Sequence, residues 1–511
     1  MKFRCIGALK FSRDVEGEKE LEEAFKSDEL VSLLRKGAPS GKENEAAEIK
    51  KWRISGSNLE VEIESGRHVR AHDAFLRIKR YINERLAGKI KAGIRDAWIS
   101  EIVAEFEVSK EPLGEIRIAH FVKSIKFDGR RVKVVMANMP LEIVESGAPN
   151  RIVALVEEKV EKQHYAGKEE MKKLLWESKR KEMKFEKDPS EELEKRGWIR
   201  RTHAKGQFVY GKNFSRMIEA LKDIIKEEIY DKMGFSEMVF PKFEPWHVPM
   251  RSGHAKSIYP DAYYVMVPKE SKPQVWEDVA DYFKITGEVD KKGIMERVEP
   301  VGILSYAQCP PFWQFVEGRT IASSSLPIKV YDWSGPTYRN EAGGTKGIER
   351  IEEFHRIETL FVGTPEKVVE IAGKLDERFT HVLDRVLDLE VRKQRVMPWW
   401  MAQSGEVLNE KKEEEEERMK VGTVDFEAYM PFKGTREGSE WLEIQNVSVI
   451  GEKYPKAFSV KAQKGELWSG CCGTGMERWL CAFLAQKGFE PKDWPESMRD
   501  RVVLDDEVRF L

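Results

Sequence analysis

The stretch Tyr338-Arg339-Asn340-Glu341-Ala342-Gly343-Gly344-Thr345-Lys346-Gly347-Ile348-Glu349-Arg350-Ile351-Glu352-Glu353-Phe354-His355-Arg356-Ile357-Glu358 reads as strand, glycine-rich loop, strand. Such a hairpin can aim guanidinium groups at phosphates, because arginine offers a planar fork of donors that matches oxyanions. It can also lay the Phe354 ring against a purine. The competing reading is a surface hairpin whose charges are solvated. A second stretch, Gly470-Cys471-Cys472-Gly473-Thr474-Gly475-Met476-Glu477-Arg478, runs into the apolar helical segment Trp479–Leu484. Its glycines let the backbone pass close to a ligand, and Arg478 stands at the start of the helix. It is neither a P-loop, lacking Gly-Lys-Ser/Thr, nor a dinucleotide-binding fingerprint, lacking the full glycine spacing.

These stretches lie in a chain of 511 residues, long enough for two or three domains. Hydrophobic residues at 41% supply packed cores, and 14 tryptophans argue against disorder. Charged residues make up 34%, yet the net charge is only −2, so a nucleic-acid surface has to be a local patch. No apolar run is long enough to span a membrane, and the first residues read as a strand rather than a signal peptide. The five cysteines, Cys5, Cys309, Cys471, Cys472 and Cys481, fit a reducing cytoplasm, with burial or metal binding in place of disulfides. A cytoplasmic location is therefore expected.

Along the chain, residues 1–165 mix strands and helices. Met1–Phe11, Leu59–Ile63, Ile116–Ile118, Val122–Phe127 and Arg131–Val135 read as strands, with a turn at Asp128-Gly129. The segment 70–91 reads as a helix with Phe75, Ile78 and Ile82 on its apolar face. Its other positions are basic: Arg70, Arg77, Lys79, Arg80, Arg85, Lys89 and Lys91. Glu157–Lys187 has few apolar anchors and reads as a solvated helix or linker, and residues 166–196 read as a charged helical linker that contains the helix start Asp188-Pro189-Ser190-Glu191. A second domain covers 197–511. It has amphipathic helices at 216–233 and 365–390, strands at 301–305, 329–333 and 357–362, and a glutamate-rich helical insertion near 397–420.

Taken together, the two glycine-punctuated stretches resemble motifs 2 and 3 of class II aminoacyl-tRNA synthetases, and Lys232–Pro241 resembles motif 1, all in the family's order. The fold implied is α+β: an antiparallel sheet flanked by helices, plus an N-terminal mixed sheet-and-helix domain that binds tRNA. Arg339-x-Glu341, Phe354, Glu358 and Glu443-Ile444-Gln445-Asn446-Val447-Ser448 resemble the seryl enzymes. Those enzymes ordinarily carry an upstream Thr-x-Glu that binds serine. Here Ala307-Gln308-Cys309 stands in its place, and with the Cys471-Cys472 pair this resembles the methanogen type of seryl-tRNA synthetase.

That resemblance implies a set of roles. One zinc ion per subunit is held by Cys309, Glu358 and one of Cys471 or Cys472. Cys471 is the expected ligand, because neighbouring strand residues face opposite sides and the Gly-Cys-x-Gly-x-Gly spacing resembles prolyl enzymes. Spacing alone does not indicate the site, and a free cysteine is more often a buried small hydrophobe; Cys5 and Cys481 are read that way. Arg339 holds the α-phosphate of ATP and the serine carboxylate. Glu341 contacts the adenine side or the amino group. Phe354 and Arg478 take the two faces of adenine, Arg350 holds the outer phosphates, and Glu443 helps bind Mg2+. Asn340, Ile351, Arg356, Ile357 and Glu358 complete the ATP site. Ala307 and Asn446 belong to serine, and Trp399 either lines that pocket or packs. Arg339, Glu341 and Arg478 are the catalytic set.

The reaction implied is activation of L-serine with ATP, then transfer to the 3′ end of tRNA(Ser), with tRNA(Sec) as a further partner. A homodimer is expected through the Met233–Pro241 region. Residues 1–150 show no sustained heptads, so the coiled-coil arm of ordinary seryl enzymes is absent; the basic helix suits tRNA phosphates instead, or is simply a solvated face. Two other functions compete: an amino-acid:carrier-protein ligase, which lacks a tRNA-binding domain, and a binding module that kept the fold and lost activity.

Overall fold

The structure, a computed structural model, describes residues 1–165, 172–341, 343–396 and 421–506. The chain divides into two compact units, Met1–Lys168 and Glu169–Leu511. Trp399 and the expected insertion at 397–420 lie outside the described residues. No helix among the described residues is long and apolar enough to cross a membrane.

The first unit is a six-stranded antiparallel sheet, formed by β1 (Lys2–Phe11), β2 (Ala47–Ser55), β3 (Asn58–Ser65), β4 (Ile94–Glu107), β5 (Val122–Asp128) and β6 (Arg131–Ala137) in the order β2-β3-β1-β4-β6-β5. Alternation along β1 and β3 sends Phe3, Cys5, Leu9, Leu59, Val61 and Ile63 into one core. Helices α1 (Asp28–Arg35), α2 (Ala71–Tyr81) and α3 (Ala148–Tyr165) contribute to that core. On α2 the predicted stripe of Phe75 and Ile78, continued by Ile82, is fully buried. Phe75 lies so close to β1 that a Cβ on Gly7 would stand 2.5 Å from its ring, so only glycine fits there.

Three expectations change in this region. Ile116–Ile118 is not a strand; Ile116 is buried and anchors an unpaired connection to the core. The helix at 148–165 is less solvated than its charges suggest, because Val156 and Val160 are fully buried. The basic residues of α2 are not all free: Arg77 donates to the carbonyls of Leu33 and Lys36, near the end of α1, at 3.0 and 2.7 Å, and Lys79 pairs with Glu145 at 3.3 Å.

The second unit is built on a nine-stranded sheet. Its strands are β7 (Lys173–Glu177), β8 (Ser236–Glu237), β9 (Ile328–Asp332), β10 (Pro336–Tyr338), β11 (Glu353–Gly363), β12 (Val391–Val396), β13 (Gly422–Ala428), β14 (Leu442–Gly451) and β15 (Trp468–Gly475). The order is β8-β9-β11-β15-β14-β13-β12-β7, with β10 paired to β11; only β8–β9 is parallel. Strand β7 corrects the expected helical linker: Leu174, Leu175 and Trp176 sit inside the charged stretch, and the segment pairs with β12 at the sheet edge. The helix start at Asp188 forms as the sequence indicates, its carboxylate accepting from Ser190 N–H at 2.9 Å.

One face of this sheet packs on helices α4 (Lys212–Ile225), α6 (Pro365–His381) and α7 (Met476–Lys487). Helix α4 contributes Phe214, Met217, Leu221 and Ile224 at helical spacing. Thr364 caps α6 by accepting from Lys367 N–H, with Pro365 in the first turn. Helix α7 is buried all round, since Trp479, Leu480, Phe483 and Leu484 point in several directions. Helix α5 (Cys309–Val316) contributes to a separate, smaller core on the opposite face of the sheet.

Candidate active site

Strand alternation determines which residues reach the open face of the sheet. On β11, Ile357 and Phe361 enter the helix-side core, while Leu360 and Val362 enter the opposite one. Phe354, Arg356 and Glu358 therefore share the open face. On β15 the same rule separates the two neighbouring cysteines: Cys471 lies in the core of the open face and Cys472 in the helix-side core. Register β11–β15 sets Glu358 opposite Gly473 and Arg356 opposite Gly475. A Cβ on Gly473 would meet the Arg356 guanidinium at 2.2 Å, so the glycine is what lets that arginine cross the strand.

A cavity of 370 Å3 opens on this face. Ala307, Arg339, Glu341, Ile351, Phe354, Arg356, Glu443, Asn446 and Arg478, all expected at the site, line it. Arg350 stands beside it, its Nε 3.7 Å from Glu341. Asn340 does not face the cavity. Its side chain donates to the Pro260 carbonyl at 2.7 Å and its backbone N–H to that of Asp261 at 2.8 Å, so it anchors a loop. The Ile357 side chain is fully buried on the helix side, since odd positions of β11 face away from the cavity.

The arginines are held by carboxylates and aromatic rings. Arg339 lies between Asp261, at 3.5 Å, and Glu341, at 3.8 Å, with its guanidinium over the Tyr306 ring at 5.2 Å. Arg478 donates to the carbonyls of Glu349 and Glu443, both at 3.0 Å, and lies 3.6 Å from the Glu443 carboxylate. Asn446 accepts from Gly473 N–H at 2.9 Å through Oδ1, which fixes its amide at the cavity floor.

At one end of the cavity, ligand atoms of Cys309, Glu358 and Cys471 all lie within 4.8 Å of one another. Cys309 begins α5, and its thiol donates to the Tyr454 hydroxyl at 3.7 Å. Both Glu358 carboxylate oxygens are buried without a hydrogen-bond donor. Arg356 Nε is 2.9 Å from Glu358 Oε2 but outside hydrogen-bonding geometry, so the contact is an ion pair only. Burial pushes the Glu358 carboxyl up despite Arg356. The Cys471 thiol is pushed up by its hydrogen bond with Cys309 and by burial. Two thiols and a carboxyl crowded in a dry pocket cannot all ionise without a compensating cation. Two sulfurs, a carboxylate oxygen and orphaned buried lone pairs make a donor set that suits zinc.

Several lining residues have no signal in the sequence. His254, on the short helical turn His254–Lys256, lines the cavity, and Asp261, which holds Arg339, comes from the loop before Tyr264; both lie far from the motifs. Ser252 bonds His254 Nδ1 at 2.8 Å, and burial drives that imidazole down to about 4, so it is neutral. Tyr306 and Tyr454 are missed likewise, although Tyr306 directly precedes Ala307.

Residues 1–158 match a tRNA-binding domain family, and residues 301–487 match the core domain family of class II tRNA synthetases (G, H, P, S and T). The type-2 serine–tRNA ligase of Methanococcoides burtonii is 43% identical, with 100% of each chain covered. That of Methanothrix thermoacetophila is 44% identical, again with 100% of each covered. That of Methanopyrus kandleri is 32% identical over 98% of this chain and 96% of the relative. Among solved structures, the M. kandleri seryl enzyme in complex with A. aeolicus tRNASec superposes with a TM-score of 0.82 at 29% identity, covering 98% of this chain and 96% of that one.

Proposed function

Since the chain belongs to the type-2 serine–tRNA ligases, we propose that it activates L-serine with ATP and Mg2+ in this cavity, with zinc at Cys309, Glu358 and Cys471, and then charges tRNA(Ser). The observation that carries the zinc reading is the buried Cys309–Glu358–Cys471 cluster, whose ligand atoms lie within 4.8 Å of one another at the end of the cavity. These three residues would hold the zinc, which would supply a Lewis-acid site for the serine amino group.

The chain's own residues do the rest. Arg339, held by Asp261 and Glu341, fixes the α-phosphate and the serine carboxylate at attack distance. Phe354 and Arg478 take the two faces of adenine, Arg350 neutralises the outer phosphates, and Glu443 contributes to Mg2+ binding. Ile351 and Arg356 line the ATP side; Asn446 and the Ala307 backbone line the serine side. The serine carboxylate oxygen attacks the α-phosphorus, the bond to the β-phosphate oxygen breaks and pyrophosphate leaves. The adenylate then passes its seryl group to the terminal ribose hydroxyl of tRNA, releasing AMP. No covalent enzyme intermediate is needed, so positioning and charge neutralisation supply the rate.

The exposed Arg80, Arg85 and Lys89, on and just beyond α2, serve tRNA phosphates. The relative solved with tRNASec motivates tRNA(Sec) as a second substrate. Val239, 72% exposed, lies just beyond β8 at the edge of the sheet and supports a homodimer through the Met233–Pro241 region. A carrier-protein ligase is disfavoured by the N-terminal unit. Charging assays with tRNA(Ser) and with a carrier protein test this: seryl transfer to tRNA is expected, and transfer to the carrier alone would overturn it.

A further inference from the structure

In the wall of the cavity, beside Arg478, lies a buried carboxylate that none of the roles above uses. Glu477 lies in the first turn of α7, is 1% exposed, and accepts from three donors. They are the His355 backbone N–H at 3.0 Å, His355 Nδ1 at 2.8 Å and the Tyr210 hydroxyl at 2.9 Å. Its partners belong to different elements: β11 for His355 and the short strand Phe208–Tyr210 for Tyr210. Glu477 is the immediate neighbour of Arg478, and His355 is the immediate neighbour of Phe354. Arg356 and Gly475 are ladder partners, so β11 and β15 are in register just where the two chains diverge into these residues. The ladder ends at that pair, and the Glu477–His355 bonds tie the chains together beyond it.

We infer that Glu477 is a positioning residue that sets the separation of Phe354 and Arg478, and so the width of the slot that receives the purine ring. The inference rests on the reading that Phe354 and Arg478 take the two faces of adenine. Charge supports the tie: burial lowers the His355 imidazole, but the Glu477 hydrogen bond and charge outweigh it and leave it raised. The other charged groups facing His355 are Lys222, which opposes its protonation, and Glu353, which favours it. The carboxylate accepts both from a backbone amide and from the ring Nδ1, and hydrogen bonds to an ionised acceptor hold position firmly.

The test is ATP–pyrophosphate exchange with Glu477→Ala, Glu477→Gln, His355→Asn and Tyr210→Phe, reading KM for ATP and for serine separately, with thermal unfolding alongside. Losing a charge-assisted bond of this class predicts a rise in KM for ATP of about tenfold in Glu477→Ala, with KM for serine within roughly twofold. Glu477→Gln keeps an acceptor for the His355 amide and should recover part of the loss. A fall in Tm with an unchanged KM for ATP would make the tie merely structural and overturn the inference. Should Glu477→Ala not fold, His355→Asn decides: it keeps the backbone bond, loses the ring bond, and should still raise KM for ATP selectively. Phe354→Ala and Arg478→Ala separate the two readings. If neither raises KM for ATP, the adenine assignment fails. If both do and the Glu477 variants do not, only the positioning role fails.

Discussion

Cys471 and Cys472 are adjacent in sequence and opposite in consequence. Only Cys471 shares a pocket with Cys309 and Glu358; Cys472 is fully buried against the helices. Cys471→Ser is therefore expected to lose bound zinc and cut serine-dependent exchange by roughly 100-fold or more, since losing a ligand should cost at least what losing a supporting group does. Cys472→Ala should keep both and lose about 1 kcal/mol of stability, measured by metal analysis and denaturant unfolding. Cys309→Ser should likewise abolish serine activation while ATP still binds. Asp261→Asn removes one of the two carboxylates that hold Arg339 and should lower kcat for exchange about tenfold, because a small misplacement of a phosphate-binding group is costly. Residues inside the motifs were legible because their order and spacing are distinctive. Asp261, His254 and Tyr454 were not, because they reach the site from a loop and from the short helical turns His254–Lys256 and Lys453–Ala457, whose composition marks no function.

At the scale of elements, the glycines of β15 are as much a part of the site as its charged groups. Gly473→Ala places a methyl where the Arg356 guanidinium lies, 2.2 Å away, and Arg356 is already confined by Glu358. The variant should fold, yet lose exchange activity by roughly tenfold or more, which circular dichroism and exchange assays separate. The buried Glu244, on the strand Phe243–Pro245, has its carboxyl raised to about 8 by burial, outweighing the Ser305 hydroxyl that bonds it at 3.0 Å. The folded chain keeps that proton where the unfolded chain, near about pH 4.3, releases it, so this group's contribution to stability is full below the unfolded value and declines as pH rises toward about 8. Glu244→Gln should flatten that slope in pH-dependent unfolding; an unchanged slope would contradict the assignment. Long amphipathic elements such as α4 and α6 were readable from their periodicity. Strand β7 was hidden because its apolar residues, Leu174, Leu175 and Trp176, are embedded in a lysine- and glutamate-rich stretch. Such a short edge strand is selected by the partner strand it finds rather than by local pattern.

At the scale of the molecule, each unit has its own hydrophobic core, and the near-zero net charge of the chain conceals the cationic cluster of Arg80, Arg85 and Lys89. Reversing those three charges should raise KM for tRNA without affecting serine activation. It should also lower the salt dependence of tRNA binding, by roughly one power of salt concentration for each phosphate no longer neutralised. The sequence places a linker at 166–196 and the start of the second domain at 197, whereas the second compact unit begins at Glu169 and takes β7 from within that stretch. The partial occupation of the basic helix by internal hydrogen bonds was not visible in the sequence, because Arg77 finds the carbonyls near the end of α1 only once the unit has folded. The proposed function is one chemical event, the activation of serine in a cavity with the Cys309–Glu358–Cys471 cluster at one end. The most direct measurement is serine-dependent ATP–pyrophosphate exchange on protein stripped of metal and then titrated with zinc, run against a panel of amino acids. Exchange with serine, far exceeding that with threonine, which saturates at about one zinc per chain and is lost on stripping, is the predicted result. Full activity in zinc-free protein, or a preference for another amino acid, would contradict it.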